Sequence, residues 1–312
     1  MIPLSLSPQR IALLLGGASS EREVSLESGH AVAEGLAKRG HQVTKIDPAD
    51  EGFYQTDWSG FDVVFIALHG SFGEDGEIQT YLDAQDICYT GSNAKVSRLA
   101  FDKILTKEFL LSSQQNIPTP PFVSVTAEDD LSKLFDQIDL LKYPLVVKPN
   151  KEGSSIGVSL VSCKEELPAA LSCCRQFGSV CLIEKRIIGS EWTLAFIDDE
   201  PLPLIQLKTN NLFYDYAAKY QSSETEYLFD FDFPENVKKK IISVGVQTAQ
   251  AIGTHGIARI DMMLDNQHQP WILEVNTIPG MTSHSLVPKA AMQAGICLPE
   301  LCERVVLSAL KS

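Results

Sequence analysis

Residues 259–286 read RIDMMLDNQHQPWILEVNTIPGMTSHSL, two runs of alternating apolar and polar side chains separated by a short polar segment. Successive side chains of a strand point to opposite faces of a sheet. In the first run Ile260, Met262 and Leu264 share one face, and Arg259, Asp261 and Met263 the other. In the second run Trp271, Leu273 and Val275 share one face, and Ile272, Glu274 and Asn276 the other. With residues 266–269 as the hairpin loop, a common length, Asp261 lies opposite Glu274 and Arg259 opposite Asn276. Facing carboxylates repel, so this pair wants a cation between them. Two carboxylates and an amide oxygen suit Mg2+, which prefers hard oxygen ligands and shares them with substrate phosphates. A solvated hairpin with its charges outward satisfies the alternation equally well.

Outward from this hairpin, 312 residues suit two or three domains rather than one core. A net charge of -14 argues against a nucleic-acid partner, although it leaves room for a local basic pocket. The seven cysteines form no C-x-x-C pair, which points to reduced thiols and away from zinc. The apolar run at 11–15 is too short for a secretory signal and no run approaches a transmembrane span, so a cytoplasmic protein without membrane contact is expected.

Residues 1–92 alternate strand and helix, with strands expected at 11–15, 42–46 and 62–67. This is a parallel α/β pattern, in which ligands meet the loops at the strand C-terminal ends. Ser20 with Glu23 has the form of a capping box, which places Glu21 in the first helical turn, where its charge also suits the helix dipole. His69 and Glu74 lie in the loop after the third strand, a place where function concentrates. Residues 93–184 begin with a helix expected over 101–113, Lys103 near its start. Strands at 145–148 and 158–161 flank a Gly, Ser and Lys loop, either a phosphate-covering flap or an ordinary exposed hairpin. After a strand at 181–184 the third unit, 185–312, holds a hairpin, a long polar and aromatic loop, helices at 235–252 and 298–310, and the charged hairpin. A loop of that length suggests a lid.

Seven segments now converge: GGASSEREVSLESG, IALHGSFGEDG, VVKPNKEGSSIGVS, LIEKRIIGSEWT, FYDYAAKY, RIDMML and LEVNTIPGMTSHSLVPKAA. In this order, over essentially the full length, the sequence resembles the D-alanine–D-alanine ligases of the ATP-grasp superfamily. The resemblance implies a three-domain ATP-grasp architecture of mixed α/β class. The units are an N-terminal substrate domain (1–92), a central domain with the flap (93–184) and a C-terminal domain with the metal site and lid (185–312). It implies ATP, Mg2+ or Mn2+ as two ions, two D-alanine molecules as substrates, and a homodimer. The reaction would pass through a D-alanyl phosphate attacked by the amine of the second D-alanine, to supply peptidoglycan precursors.

Carried onto this sequence, the family pattern places Lys103, Lys148 and Lys219 on the ATP phosphates. It places Glu184, Lys185, Ile187, Glu191 and Phe213 around the adenine and ribose, and Asp261, Glu274 and Asn276 on the metal. Arg259 and the Gly280 amide would stabilise an oxyanion. Glu21, Ser154 and Tyr220 would form a hydrogen-bonded set at the first D-alanine, with Val24 and His69 beside it. Ser285 and Leu286, opening a helix with Pro288 in its first turn, would hold the carboxylate of the second. Two positions depart from the pattern: Arg186 stands where many relatives carry an aromatic residue, and Ala217 interrupts the usual YDYEAKY. A non-catalytic amino-acid binding protein has no need of the Asp261, Glu274 and Asn276 set. A dinucleotide oxidoreductase lacks its G-x-G-x-x-G spacing at Gly16–Gly17.

Overall fold

The computed structural model describes residues 6–208 and 225–311, which form three sheets with helices between and around them. The first sheet is parallel, in the order β2 (Gln42–Ile46), β1 (Arg10–Leu14), β3 (Val63–Ile66), and a parallel bridge from Val64 to Tyr89 extends it. Both its faces are covered, as the continuous apolar run at 11–14 requires of a central parallel strand. Ile11 and Leu13 pack towards α1 (Arg22–Lys38), while Ala12 and Leu14 pack towards Phe53 and Trp58. Helix α2 (Glu77–Asp83) follows the loop that carries His69 and Glu74.

Helix α4 (Lys103–Ser112) matches the helix expected over 101–113, and α3 (Ala94–Phe101), which the sequence reading did not anticipate, precedes it. Asp102 is the break. Its backbone is extended and its Oδ1 accepts the Leu105 amide at 3.0 Å, so the chain stops and restarts with Lys103 in the first turn. The apolar faces of this pair, through Val96, Ala100 and Leu110, join the core of the third sheet.

The second sheet is antiparallel, ordered β4 (Phe122–Thr126), β7 (Val180–Lys185), β5 (Leu145–Pro149), β6 (Ser159–Val161). It is backed by α5 (Leu131–Leu141) and α6 (Leu167–Cys174), the second of which the sequence reading did not anticipate. The loop of residues 150–158 joins β5 to β6, as expected of two strands around a Gly, Ser and Lys loop.

The third sheet runs β11 (Glu226–Leu228), β10 (Ile205–Lys208), β8 (Gly189–Ile197), β12 (Ile257–Asp265), β13 (Pro270–Asn276), with β9 (Glu200–Pro201) beside β8. Helix α7 (Glu235–Ile252) crosses one face so closely that a Cβ on Gly245 would stand 2.6 Å from Leu194. Helices α8 (Leu286–Gln293) and α9 (Leu298–Ala309) fill the space towards the first sheet, where Val305 and Val306 share a core with Ile11 and Leu36.

The β12–β13 register matches expectation at the charged end, with Arg259 opposite Asn276 and Asp261 opposite Glu274. Past Asp261 it does not. A bulge pairs Met262 with Ile272 and leaves Leu273 as the extra residue. The phase of β13 therefore reverses: Ile272 joins Val275 in the core, and Leu273 turns to the cleft beside Glu274. The capping box is also absent. Glu21 itself is the N-cap of α1, without a side-chain cap bond, and the Ser20 hydroxyl donates instead to Glu152 at 3.1 Å.

Asp102 caps α4 and also accepts from Asn150 Nδ2 at 2.9 Å, binding the base of the flap to the helix that carries Lys103. Asp102→Ala should lower the unfolding free energy by about 1–2 kcal/mol, read from urea denaturation. Asp102→Asn, still able to cap, should cost roughly half of that or less; equal losses would assign the effect to the charge rather than the cap.

Candidate active site

The second and third sheets face each other across a cleft of about 430 Å3, within the range of small-molecule sites. Lys148, Glu184, Lys185, Ile187 and Glu191 line it, joined by Arg186 and by the apolar side chains of Met263 and Leu273. Glu184 is buried, and two lysines hold its carboxylate: Lys148 Nζ stands 2.6 Å from Oε1 and Lys107 Nζ 2.8 Å from Oε2. Burial alone would raise this carboxyl, but the two positive charges outweigh it and keep the group below its ordinary range. Burial also brings the Lys107 ammonium down to about 8, against the pull of Glu184. Lys185 directs its amine to the carbonyls of Lys142 and Tyr143, the latter at 3.4 Å.

At the far end of the cleft the hairpin presents its charged face. Arg259 donates to both oxygens of Asp261, Nε to Oδ1 at 2.9 Å and Nη2 to Oδ2 at 2.7 Å, and the Thr193 hydroxyl donates to Oδ1 at 2.6 Å. Lys103 Nζ lies 3.7 Å from Glu274 Oε2 and donates to the Glu152 carbonyl at 2.6 Å. Asn276 Oδ1 accepts from the Ile278 amide at 2.9 Å. Cations of the chain thus offset the facing carboxylates. Among the described residues no three His, Cys, Asp or Glu side chains gather as a metal cluster. Two carboxylates and an amide oxygen on one strand pair are nevertheless a hard-oxygen donor set, open to the cleft and suited to an ion that shares its shell with phosphate.

Beyond the hairpin a tighter compartment of about 70 Å3 reaches the first sheet. Glu21, His69, Ser154, Arg259, Gly280, Ser285 and Leu286 all line it. Ser154 of the flap donates to Glu21 across the two sheets, and a Cβ on Gly153 would stand 2.5 Å from Glu21 Oε2, so glycine is required for that approach. His69 Nδ1 stands 3.4 Å from Glu74 Oε1, and His69 Nε2 meets the Ser28 hydroxyl at 3.1 Å. Burial raises the Glu74 carboxyl, the His69 contact opposes the rise and the Glu21 charge adds to it. Ser28 also accepts the Met281 amide at 3.1 Å, so helix α1 holds the loop that contains Gly280. Ser285 caps α8 through its backbone only; its hydroxyl accepts the Thr282 amide at 3.1 Å.

Val24 is buried in α1 and is not among the residues lining either compartment. Phe213, Lys219, Tyr220 and the Ala217 departure lie outside the described residues. Three groups were missed by sequence reasoning: Lys107, Glu152 and Ser28. Lys107 carries the clearest signal, being four residues after Lys103 on the same helix face. Glu152 stands in the flap that had been read, and Ser28 four residues after Val24 in α1.

Known proteins resemble the chain over nearly its whole length. The family model described as "D-ala D-ala ligase C-terminus" matches residues 111–307, and "D-ala D-ala ligase N-terminus" matches residues 53–92. A D-alanine–D-alanine ligase of Acinetobacter baumannii is 42% identical over 304 residues, covering 97% of this chain and 96% of its own. One of Syntrophotalea carbinolica is 42% identical with 97% of each chain covered. Among solved structures, the D-alanine–D-alanine ligase of Bacillus anthracis superposes with a TM-score of 0.86 at 35% identity, covering 97% of both chains. The same enzyme solved with ATP gives 0.85 at 33% identity, covering 97% of this chain and 98% of that one. With both family models matched along the chain and relatives of this similarity over nearly its whole length, the chain belongs to the D-alanine–D-alanine ligase family.

Proposed function

We propose that this ligase joins two D-alanine molecules at the junction of the two compartments, with ATP along the larger cleft and the amino acids in the smaller one. The observation that carries the reading is the hairpin of Arg259, Asp261 and Glu274, which borders both spaces. A carboxylate is a poor electrophile, so it is activated by phosphorylation and then attacked as an acyl phosphate by the second amine. The chain's part is to bind, orient and supply charge where charge develops.

Glu184 and the neighbouring Lys185, Ile187 and Glu191 would hold the base and ribose, with Phe213 from outside the described residues. Lys148, Lys103 and Lys219 would hold phosphates. Asp261, Glu274 and Asn276 would hold Mg2+ or Mn2+, as two ions, which supply charge neutralisation to the phosphates when bound. Arg259 would exchange part of its hold on Asp261 for the oxyanion, beside the Gly280 amide. Glu21 would receive the ammonium of the first D-alanine, with Ser154 and Tyr220 completing the set and Val24 and His69 behind it. The start of α8 at Ser285 and Leu286 would receive the second carboxylate.

The division into units 1–92, 93–184 and 185–312 belongs to the same proposal, as do cytoplasmic action and a homodimer; these rest on the family resemblance. No helix among the described residues is long and apolar enough to cross a membrane, and the net charge of -14 disfavours nucleic acid.

Purified protein with ATP, Mg2+ and D-alanine should release phosphate and a dipeptide in equal amounts. Phosphate release that ignores D-alanine would sink the assignment. D-Serine and D-lactate offered in competition, with products separated by mass, should leave D-alanyl-D-alanine dominant. Arg259→Ala should lower kcat by about 100-fold or more and the KM for ATP far less, because its proposed partner is charge that appears in the transition state. Equal losses in both would place Arg259 on the nucleotide.

A further inference from the structure

Lys107 has no part in the chemistry described so far, yet it is a lysine with about 1% of its surface exposed. A buried ammonium has a high desolvation cost unless its donors are used. Here they are: Nζ donates to the Thr119 hydroxyl at 2.6 Å and stands 2.8 Å from Glu184 Oε2. Thr119 passes the link on, its hydroxyl donating to the Ile272 carbonyl of β13 at 2.9 Å, while the Ile272 amide donates to Pro118 at 2.8 Å. Lys107 is thereby fixed from two sides. Oε2 is closed off from solvent with the Lys107 ammonium behind it, whereas Oε1 sits against Lys148 at 2.6 Å. Glu184 lines the nucleotide-sized cleft. Its carboxylate is therefore held from behind, by the charge of Lys107 and by the anchoring of that lysine on Thr119.

From this we infer that Lys107 is a positioning residue for base selection: it pins Glu184 as an anionic acceptor, so that the cleft favours a purine with an amino donor over one with an oxo group at the same place. The inference rests on the proposed placement of ATP in the larger cleft. A carboxylate kept anionic by a cation behind it receives an N–H and repels a carbonyl oxygen, so discrimination follows from charge as well as from the hydrogen bond. Without Lys107 the carboxylate loses one of its two cations and the link to Thr119, and both its charge and its orientation are released.

The test compares ATP with ITP, which carries an oxo group in place of the amino group. D-Alanine-dependent phosphate release is measured on the full chain for wild type, Lys107→Met and Lys107→Arg. Wild type should prefer ATP, and Lys107→Met should reduce the ratio of the two kcat/KM values by at least about tenfold, the size of one charge-assisted hydrogen bond. Lys107→Arg, which keeps the cation, should retain most of the ratio. An unchanged ratio in Lys107→Met, or an equal loss in Lys107→Arg, overturns the inference. A wild type without D-alanine-dependent turnover would instead overturn the functional reading beneath it.

A second readout holds even if Lys107→Met does not fold. Lys107 faces Lys103 on its own helix, Lys148 on β5 and Glu184 on β7, with the Phe122 ring 5.6 Å away. Its ammonium titrates near 8, so the wild-type preference for ATP should weaken as pH rises through that value. In Lys107→Arg, charged throughout, the preference should hold across the same range. Parallel profiles for the two proteins count against the inference.

Discussion

Between Asp261 and Met262 the β12–β13 ladder passes over Leu273, and the character of the cleft follows from that one unpaired residue. In a regular antiparallel pair the cleft face of β13 would alternate strictly, and Ile272 would face it. The bulge sends Ile272 into the core and puts Leu273 and Glu274 side by side on the cleft wall. Met263 and Leu273 make an apolar floor, and Asp261 and Glu274 an acidic end. A nucleotide has the same polarity along its length, an apolar base at one end and phosphates needing cations at the other. Bulges of this kind re-aim side chains near active sites at little cost elsewhere in the sheet.

The charged end of that hairpin was legible in the sequence because two residues on each strand, Arg259 with Asp261 and Glu274 with Asn276, lie before the bulge. The apolar end was misread because alternation assumes an unbroken ladder, and nothing in PWILEVN marks Leu273 as the extra residue. The helix near Lys103 shows the same limit. The helix was expected to start at 101, whereas Asp102 stands outside it as the cap of α4, held also by Asn150, which lies 48 residues away and donates to the same carboxylate. Glu21 was seen but misplaced. Ser20 and Glu23 satisfy the local pattern of a capping box around it, yet the Glu21 carboxylate and the Ser20 hydroxyl are both drawn to the loop of residues 150–158, through Ser154 and Glu152. Local propensity yields to such distant partners wherever a side chain is needed in a site.

Lys107 escaped sequence reasoning for a different reason. Its spacing from Lys103 puts it on the same helix face, but burial of an ammonium there depends on an acceptor that only the fold supplies. That acceptor, Glu184, lies on a strand of another sheet. The arrangement trades stability for a defined charge: each member of the Lys107, Glu184 and Lys148 set is costly to bury alone, and truncating one leaves the others uncompensated.

Helix α1 touches the two ends of the small compartment through residues seven positions apart. Glu21 takes the flap serine, and Ser28 takes both His69 and the Met281 amide. Seven residues of helix span about 10 Å, and a helix does not stretch. The helix is therefore a caliper that fixes the spacing between the flap and the Gly280–Met281 loop. A compound wedged under its first two turns would disturb both contacts at once without touching the nucleotide cleft. Such a wedge need resemble neither an amino acid nor a purine, because the contacts it would part, to Ser154, His69 and Met281, belong to the frame of the compartment.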